Sequence, residues 1–110
     1  MKKPSLAIAA AVLALALIDA RAAGSVDAGK QKSAPCQQCH GADGNSTNAQ
    51  FPRLAGQYPD YIAKALSDYK SGDRKNPVMA PFAAGLSFED IEDLAAWFSS
   101  RPNGLVVRHW

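Results

Sequence analysis

The sequence has few of the side chains that build multi-ligand metal sites: its 110 residues include two cysteines, two histidines and two methionines. A structural zinc ion takes about four protein ligands. Only Cys36, Cys39, His40 and His109 are available here, and His40 directly follows Cys39, which is a poor arrangement for a shared tetrahedron. The sequence therefore argues against a zinc site.

The sequence also lacks an apolar run long enough to cross a membrane. The run Leu6–Ile18 has 13 residues, whereas a transmembrane helix needs about 20. Two lysines precede this run and the small-residue sequence ARAAG follows it, which is typical of a secretory signal peptide. We predict that residues 1–22 are cleaved, and that the mature protein is exported without stable membrane insertion. An uncleaved membrane anchor is the alternative.

A strong excess of charge of either sign is missing as well. The formal net charge is +2, and without residues 1–22 the chain has nine basic and nine acidic residues. A chain without a basic field has no general attraction for nucleic acids or anionic lipids, and we expect neither as a partner. The sequence also contains neither a Ser-His-Asp set nor a Gly-rich phosphate loop, so neither of these motifs indicates an enzyme.

Three segments have helical patterns, and none shows the alternation of a β-strand, so the predicted fold class is all-α. N-capping residues and terminal glycine or proline mark the helix ends. The predicted helices begin at Val26, near Pro59 and after Ser87, and they end at Ala34, at Gly72 and before Pro102. Their apolar faces are Ile62, Ala65, Leu66 and Tyr69 in the second helix, and Ile91, Leu94, Ala95 and Phe98 in the third.

Two long segments between these helices, 41–57 and 72–86, have the composition of turns but also contain apolar residues that require burial. Irregular loops of this length are uncommon in a compact domain unless they are functional or disordered. A mature chain of about 88 residues can form only a thin core by itself. We infer that the helices and loops pack against a large apolar prosthetic group.

The stretch PCQQCHG, residues 35–41, contains both cysteines. A thioredoxin-like dithiol would lie beside a βαβ pattern, which the sequence lacks. A Cys36–Cys39 disulfide would close a loop too small to stabilise the fold much. The remaining interpretation of C-x-x-C-H is covalent haem attachment, with the two thiols on the porphyrin vinyl groups and His40 as the proximal iron ligand.

A second axial ligand is indicated by position along the chain. After loss of the signal peptide, Met79 is the one methionine left, 39 residues after His40. Pro77 and Pro81 flank it and predict a stiff, extended support for its thioether. The other strong candidate, His109, lies one residue from the C-terminus, so we predict Met79 as the ligand.

The run 27–100 resembles a small class I c-type cytochrome, through the ordered blocks CQQCHGADGNS, FPRLAGQYPDYI, YKSGDRKNPVM and LSFEDIEDLAAWFSS. It is similar to the mono-haem cytochrome c-553 group and to one half of the di-haem cytochrome c4 family. The resemblance implies the class I fold, with three main helices and long loops wrapped around one covalently attached haem c. It also implies His/Met ligation and periplasmic electron transfer rather than catalysis, in a domain of residues 23–100 with a tail of residues 101–110.

The resemblance also implies roles for individual residues. Pro52 matches a proline whose backbone carbonyl accepts the proximal histidine's Nδ1–H, which fixes the ring. Leu54 and Tyr58 match residues that pack at the haem. Gly29 matches a glycine that lets the first helix cross the last one closely, near Trp97.

We expect the chain to be a monomer. Its expected partners are redox proteins. Lys70, Arg74 and Lys75 precede the methionine, and we interpret them as a basic cluster that orients an acidic partner. Two alternatives stay open. In one, the chain is a haem subunit of a larger periplasmic oxidoreductase; in the other, it is a haem enzyme or sensor whose sixth position is vacant or labile.

Overall fold

The computed structural model describes residues 23–104, which form five helices and no strand, so the predicted all-α class is confirmed. The predicted signal peptide and His109 lie outside the described residues. None of the helices within 23–104 combines the length and the apolar character needed to cross a membrane. The helices are α1 Val26–Lys32, α2 Ala34–His40, α3 Pro59–Ser71, α4 Met79–Ala84 and α5 Phe88–Ser99.

All three predicted helices are present. A local capping interaction fixes one end of each. The Ser25 hydroxyl accepts a hydrogen bond from the Ala28 N–H at 3.2 Å and starts α1. Ser87 and Asp90 form a reciprocal capping box at α5, with distances of 3.0 and 2.9 Å. Gly72, with a φ of 87°, ends α3 in the left-handed conformation that glycine adopts without strain.

The first helix ends at Lys32 rather than at the predicted Ala34. Ser33 forms a turn, and its hydroxyl donates to the Lys30 carbonyl at 2.7 Å. Pro35 then lies in the first turn of α2, where the missing backbone N–H leaves no hydrogen bond unmade. As a result, the C-x-x-C-H sequence lies on a helix of its own.

The segment 72–86 also differs from the prediction, because it contains α4. Met79 begins this helix instead of lying on an extended support, so that prediction is wrong. The Asn76 side chain accepts hydrogen bonds from the N–H groups of Val78 and Met79, at 2.9 and 3.1 Å. Pro81 is the third residue of the helix, where a backbone N–H has no intrahelical partner in any case.

Packing is centred on α5, which contacts both α1 and α3. The crossing with α1 is close at Gly29, as expected: a Cβ atom there would collide with the Asp93 carbonyl oxygen and lie 2.7 Å from the Trp97 Cβ. The predicted apolar face of α5 is buried. The core cluster consists of Ile62, Leu94, Ala95, Trp97 and Phe98.

A buried carboxylate reinforces the α1–α5 contact. Asp93 is 3% exposed and accepts hydrogen bonds from the Ser25 N–H at 2.7 Å and the Lys32 ammonium at 2.6 Å. These two donors, Lys32 first, hold the pKa of Asp93 below its usual value. Lys32 also pairs with Asp90 at 2.9 Å, whose pKa is lowered to about 2, chiefly by the Ser87 N–H and then by Lys32.

Candidate haem-binding site

A cavity of about 360 Å³ lies beside the core and is walled by α2, α3, α4, α5 and the loop 41–57. Its volume falls in the range of pockets that hold small organic ligands. Ile62, Leu94 and Phe98 belong both to its wall and to the core. Most of the other walls are also apolar. The predicted site residues on its wall are Cys36, Cys39, His40, Pro52, Leu54 and Met79.

The two cysteines lie on the wall as free thiols, without a disulfide between them. Their spacing of three residues on α2 places them on one face of the helix. Burial raises the pKa of the Cys36 thiol, against a smaller opposing effect of a backbone hydrogen bond. Cys36 is therefore a neutral thiol at neutral pH. Both sulfurs are available for covalent attachment from the same helix face.

His40, the last residue of α2, is 6% exposed and has a fixed ring. Its Nδ1 lies 2.7 Å from the carbonyl oxygen of Pro52. Because a carbonyl oxygen only accepts hydrogen bonds, Nδ1 donates to it, and in the neutral imidazole the lone pair is then on Nε2. Phe51 packs its ring edge against the imidazole, with centroids 6.4 Å apart. Among the described residues, Nε2 has no hydrogen-bond partner, which is the condition of an imidazole ready to bind a metal.

Met79 reaches the wall from α4, on a different part of the chain from α2. Its side chain is half-buried. Asn76, which caps this helix, also lines the cavity. The imidazole of His40 and the thioether of Met79 are thus brought to one cavity by two separate helices.

Tyr58 is the one predicted site residue that the structure does not bring to the cavity. It precedes α3 with an extended backbone, is 80% exposed and does not line the wall. Tyr61 lines the cavity instead. The i, i+4 series Tyr61, Ala65 and Tyr69 lies on one helix face, so extending the predicted apolar face back by one turn would have identified Tyr61.

Two arginines on the wall add positive charge to a mostly apolar cavity. Arg53 comes from the loop 41–57. Arg74 lies 4.9 Å from the ring centroid of Tyr69 and donates to the Tyr61 hydroxyl at 3.5 Å. Guanidinium groups at an apolar pocket match a ligand that has an apolar body and carboxylate substituents.

Together these residues fit a haem c. Cys36 and Cys39 would hold it covalently, and an imidazole lone pair and a thioether are available as iron ligands. Apolar side chains would cover the ring. The arginines are suited to its propionates.

Comparison with known proteins points to one family. A family model described as cytochrome c matches residues 26–102. Cytochrome c4 of Pseudomonas aeruginosa is 46% identical over 82 residues, covering 74% of this chain and 41% of that protein. Cytochrome c-554(548) of Halomonas halodenitrificans is 42% identical over 82 residues, covering 72% of this chain and 99% of that protein.

A solved structure supports the same fold. The crystal structure of reduced recombinant cytochrome c4 from Pseudomonas stutzeri aligns with a TM-score of 0.70 and 44% identity, covering 73% of this chain and 47% of that one. The chain thus has the class I cytochrome c fold and spans about two fifths of the length of its cytochrome c4 relatives. Cys36 and Cys39 occupy the C-x-x-C-H positions through which such domains hold haem c covalently. The chain belongs to the cytochrome c family.

Proposed function

We propose that this chain is a periplasmic carrier of single electrons, with one haem c on Cys36 and Cys39 and with His40 and Met79 as its axial ligands. The observation that carries the proposal is the 2.7 Å contact between His40 Nδ1 and the Pro52 carbonyl. It leaves the Nε2 lone pair free in a cavity that Met79 also lines. When bound, the haem supplies a reversible one-electron couple.

The side chains around the cavity prepare it for that role. The Pro52 carbonyl keeps the proton on Nδ1, orients the imidazole of His40 and increases its basicity. Leu54, Ile62 and Phe98 on the wall exclude water. A methionine ligand and an apolar surrounding both favour the reduced iron and raise its potential. If His40 and Met79 both bind the iron, no ligand position would be left for a substrate, which favours a carrier over a catalyst.

The test is the visible spectrum of the exported holoprotein, oxidised and reduced, compared with those of Met79→Leu and His109→Leu. The wild type is expected to show the far-red absorption band typical of methionine bound to Fe(III), and its reduced form is expected not to bind CO. Met79→Leu should lose the band, bind CO and have a lower reduction potential, whereas His109→Leu should match the wild type.

A band that survives in Met79→Leu would contradict the proposed ligand. Ready CO binding by the reduced wild type would favour the haem enzyme or sensor alternative. Loss of the native second ligand in His109→Leu would assign that role to the tail.

For the partner, we propose an acidic redox protein that docks beside Arg74 and Lys75. Both residues are exposed, and Arg74 also lines the cavity. Converting both to glutamine should flatten the salt dependence of the electron-transfer rate, because exposed charges act mainly by steering the encounter. An unchanged salt dependence would contradict this docking surface.

We also propose that residues 1–22 are a cleaved signal peptide, that residues 23–100 form the haem domain, and that the domain is a monomer with a short tail. The first residues of the tail are hydrogen-bonded to the loop 41–57. The Asn45 side chain donates to the Pro102 carbonyl at 2.9 Å and accepts from the Gly104 N–H at 3.0 Å. Mature protein from the periplasm should begin near Ala23 and sediment with the mass of one chain. Retention of Met1 would contradict the cleavage. Copurification with a stoichiometric partner would favour the oxidoreductase-subunit alternative.

A further inference from the structure

The helix that carries Met79 has little intrinsic stability. α4 has six residues, and isolated helices shorter than about 12 residues are marginal in water. Burial contributes little, because Ala83 is its one fully buried residue, while Pro81, Phe82 and Ala84 are exposed. Something outside this helix must therefore keep Met79 in place.

Hydrogen bonds from outside hold α4 at both ends. At the C-terminal end, the ammonium of Lys70, on α3, donates to the carbonyls of Ala84 and Leu86 at 3.2 and 2.5 Å. A cation there also interacts favourably with the helix dipole. At the N-terminal end, the Asn76 side chain accepts from the Val78 and Met79 N–H groups.

The bonds at the two ends differ in strength. The two hydrogen bonds that Lys70 donates are charge-assisted, and such hydrogen bonds are roughly twice as strong as neutral ones. The Asn76 bonds are neutral. Of the two residues, Lys70 also joins α4 to another helix, whereas Asn76 belongs to the loop that immediately precedes it.

We propose that Lys70 is a positioning residue for Met79: it holds α4 against α3 and so keeps the thioether at the cavity. The proposal rests on the proposed function, in which Met79 is an iron ligand. It assigns Lys70 a role different from the docking charge that the sequence predicts, since its ammonium is bound to two backbone carbonyls. Loss of Lys70 should open α4 locally and leave the packing of α1 and α3 on α5 intact.

The test uses imidazole as a competing ligand of the oxidised holoprotein, because imidazole gains access to the iron only when Met79 leaves. Its apparent affinity therefore reports the opening equilibrium of α4. Lys70→Ala should increase this affinity about three- to tenfold, because two hydrogen bonds from an ammonium are lost at a position that is itself exposed to solvent. Lys70→Arg, which keeps a charged donor, should restore most of the wild-type value.

Lys64→Ala is the matched control. Lys64 lies on the same helix and its ammonium pairs with Asp68 at 2.6 Å, with its side chain 73% exposed. Exposed pairs of this kind contribute little, so Lys64→Ala should change imidazole affinity less than twofold. Equal affinities in Lys70→Ala and Lys64→Ala would overturn the proposal. So would a fall in global unfolding stability large enough to account for the whole effect.

Hydrogen exchange of the amides in α4 tests the positioning role without reference to the iron. Lys70→Ala should accelerate exchange in Met79–Ala84 about three- to tenfold and leave α5 unchanged; unchanged exchange in α4 would overturn the proposal. If the wild type lacks the far-red band, Met79 is not a ligand and the proposed function fails, while faster α4 exchange would still support the role of Lys70. If Lys70→Ala does not accumulate, Lys70→Gln is measured in both assays with the same criteria.

Discussion

At the scale of single residues, Gly29 is a position where the fold tolerates no side chain. Gly29→Ala is expected to destabilise the holoprotein by about 2–3 kcal/mol, because the new methyl group would meet the Asp93 carbonyl and the Trp97 Cβ. Both belong to α5, so relief requires the two helices to move apart. Guanidinium unfolding followed by far-UV circular dichroism measures this loss.

Gly85→Ala is the control for that experiment. A Cβ atom at Gly85 has nothing within 4 Å, and its φ of −87° suits any residue. Its unfolding free energy should stay within about 0.5 kcal/mol of the wild type or rise slightly, since alanine restricts the unfolded chain. Equal losses in the two variants would show that the α1–α5 crossing is not the cause.

Functional residues that lie close together in the sequence could be predicted from it. Cys36, Cys39 and His40 occur together, and their spacing, with the zinc, dithiol and disulfide alternatives excluded, narrows the chemistry to haem attachment. Tyr58 and Tyr61 show the limit of such reasoning. The predicted start of this helix near Pro59 is correct, so the boundary is not the cause. Tyr58 is predicted from the family resemblance, whereas the predicted apolar face of the helix stops one turn short of Tyr61, which lines the cavity.

At the scale of helices, the Lys32–Asp93 pair joins α1 to α5 and makes their contact sensitive to acid. The pKa of Asp93 and that of Asp90 are below the usual value of 3.8 in the folded protein. On acidification the unfolded chain therefore binds these protons first, and the stabilisation is lost as the pH falls from about 4 through the folded pKa values. The pKa of Lys32 is raised, so its contribution persists until the pH rises beyond about 10.5.

Asp93→Asn tests this pH dependence. At pH 6 the variant should be less stable by about 2 kcal/mol, because the buried amide is a poorer partner for the Lys32 ammonium and the Ser25 N–H. Between pH 4 and pH 2.5 its unfolding free energy should fall less steeply than that of the wild type. A double-mutant cycle with Lys32→Ala separates the interaction energy of the Lys32–Asp93 pair from the effect of burying Asp93. Parallel pH curves for wild type and variant would contradict the assignment.

The helices differ in how much of their stability is encoded locally, which explains which of them could be predicted. α1, α3 and α5 begin or end with residues whose caps are visible in the sequence, such as Ser87 with Asp90. α4 depends on Lys70, which belongs to a different helix and lies nine residues before Met79. No periodicity within α4 reveals that contact. Pro77 before the helix and Pro81 within it instead favour an extended prediction.

At the scale of the whole molecule, one side of the buried core directly borders the cavity. Five residues form its buried cluster, and three of them, Ile62, Leu94 and Phe98, are also cavity wall. α3 and α5 therefore present the same apolar side chains to the protein interior and to the haem site. This explains why long loops and short helices can form a domain of this size: the prosthetic group completes the core that the chain alone supplies in part.

Preventing covalent haem attachment should therefore unfold much of the domain. Without haem, apolar side chains that belong both to the core and to the wall of this cavity of about 360 Å³, Ile62, Leu94 and Phe98, would be exposed to water. The whole stability of a small domain is about 5–15 kcal/mol. The double variant Cys36→Ala, Cys39→Ala is expected to lose more than half of the helical far-UV signal and its cooperative melting.

The single variants Cys36→Ala and Cys39→Ala are matched controls, because each keeps one thiol for a single thioether bond and can keep the haem in place. They should retain helical content and melt cooperatively at a lower temperature than the wild type. A double variant that is free of haem yet keeps the full helical signal would show that the protein core is sufficient by itself. The haem would then occupy a preformed cavity, and the thin core formed by α3 and α5 would not require it.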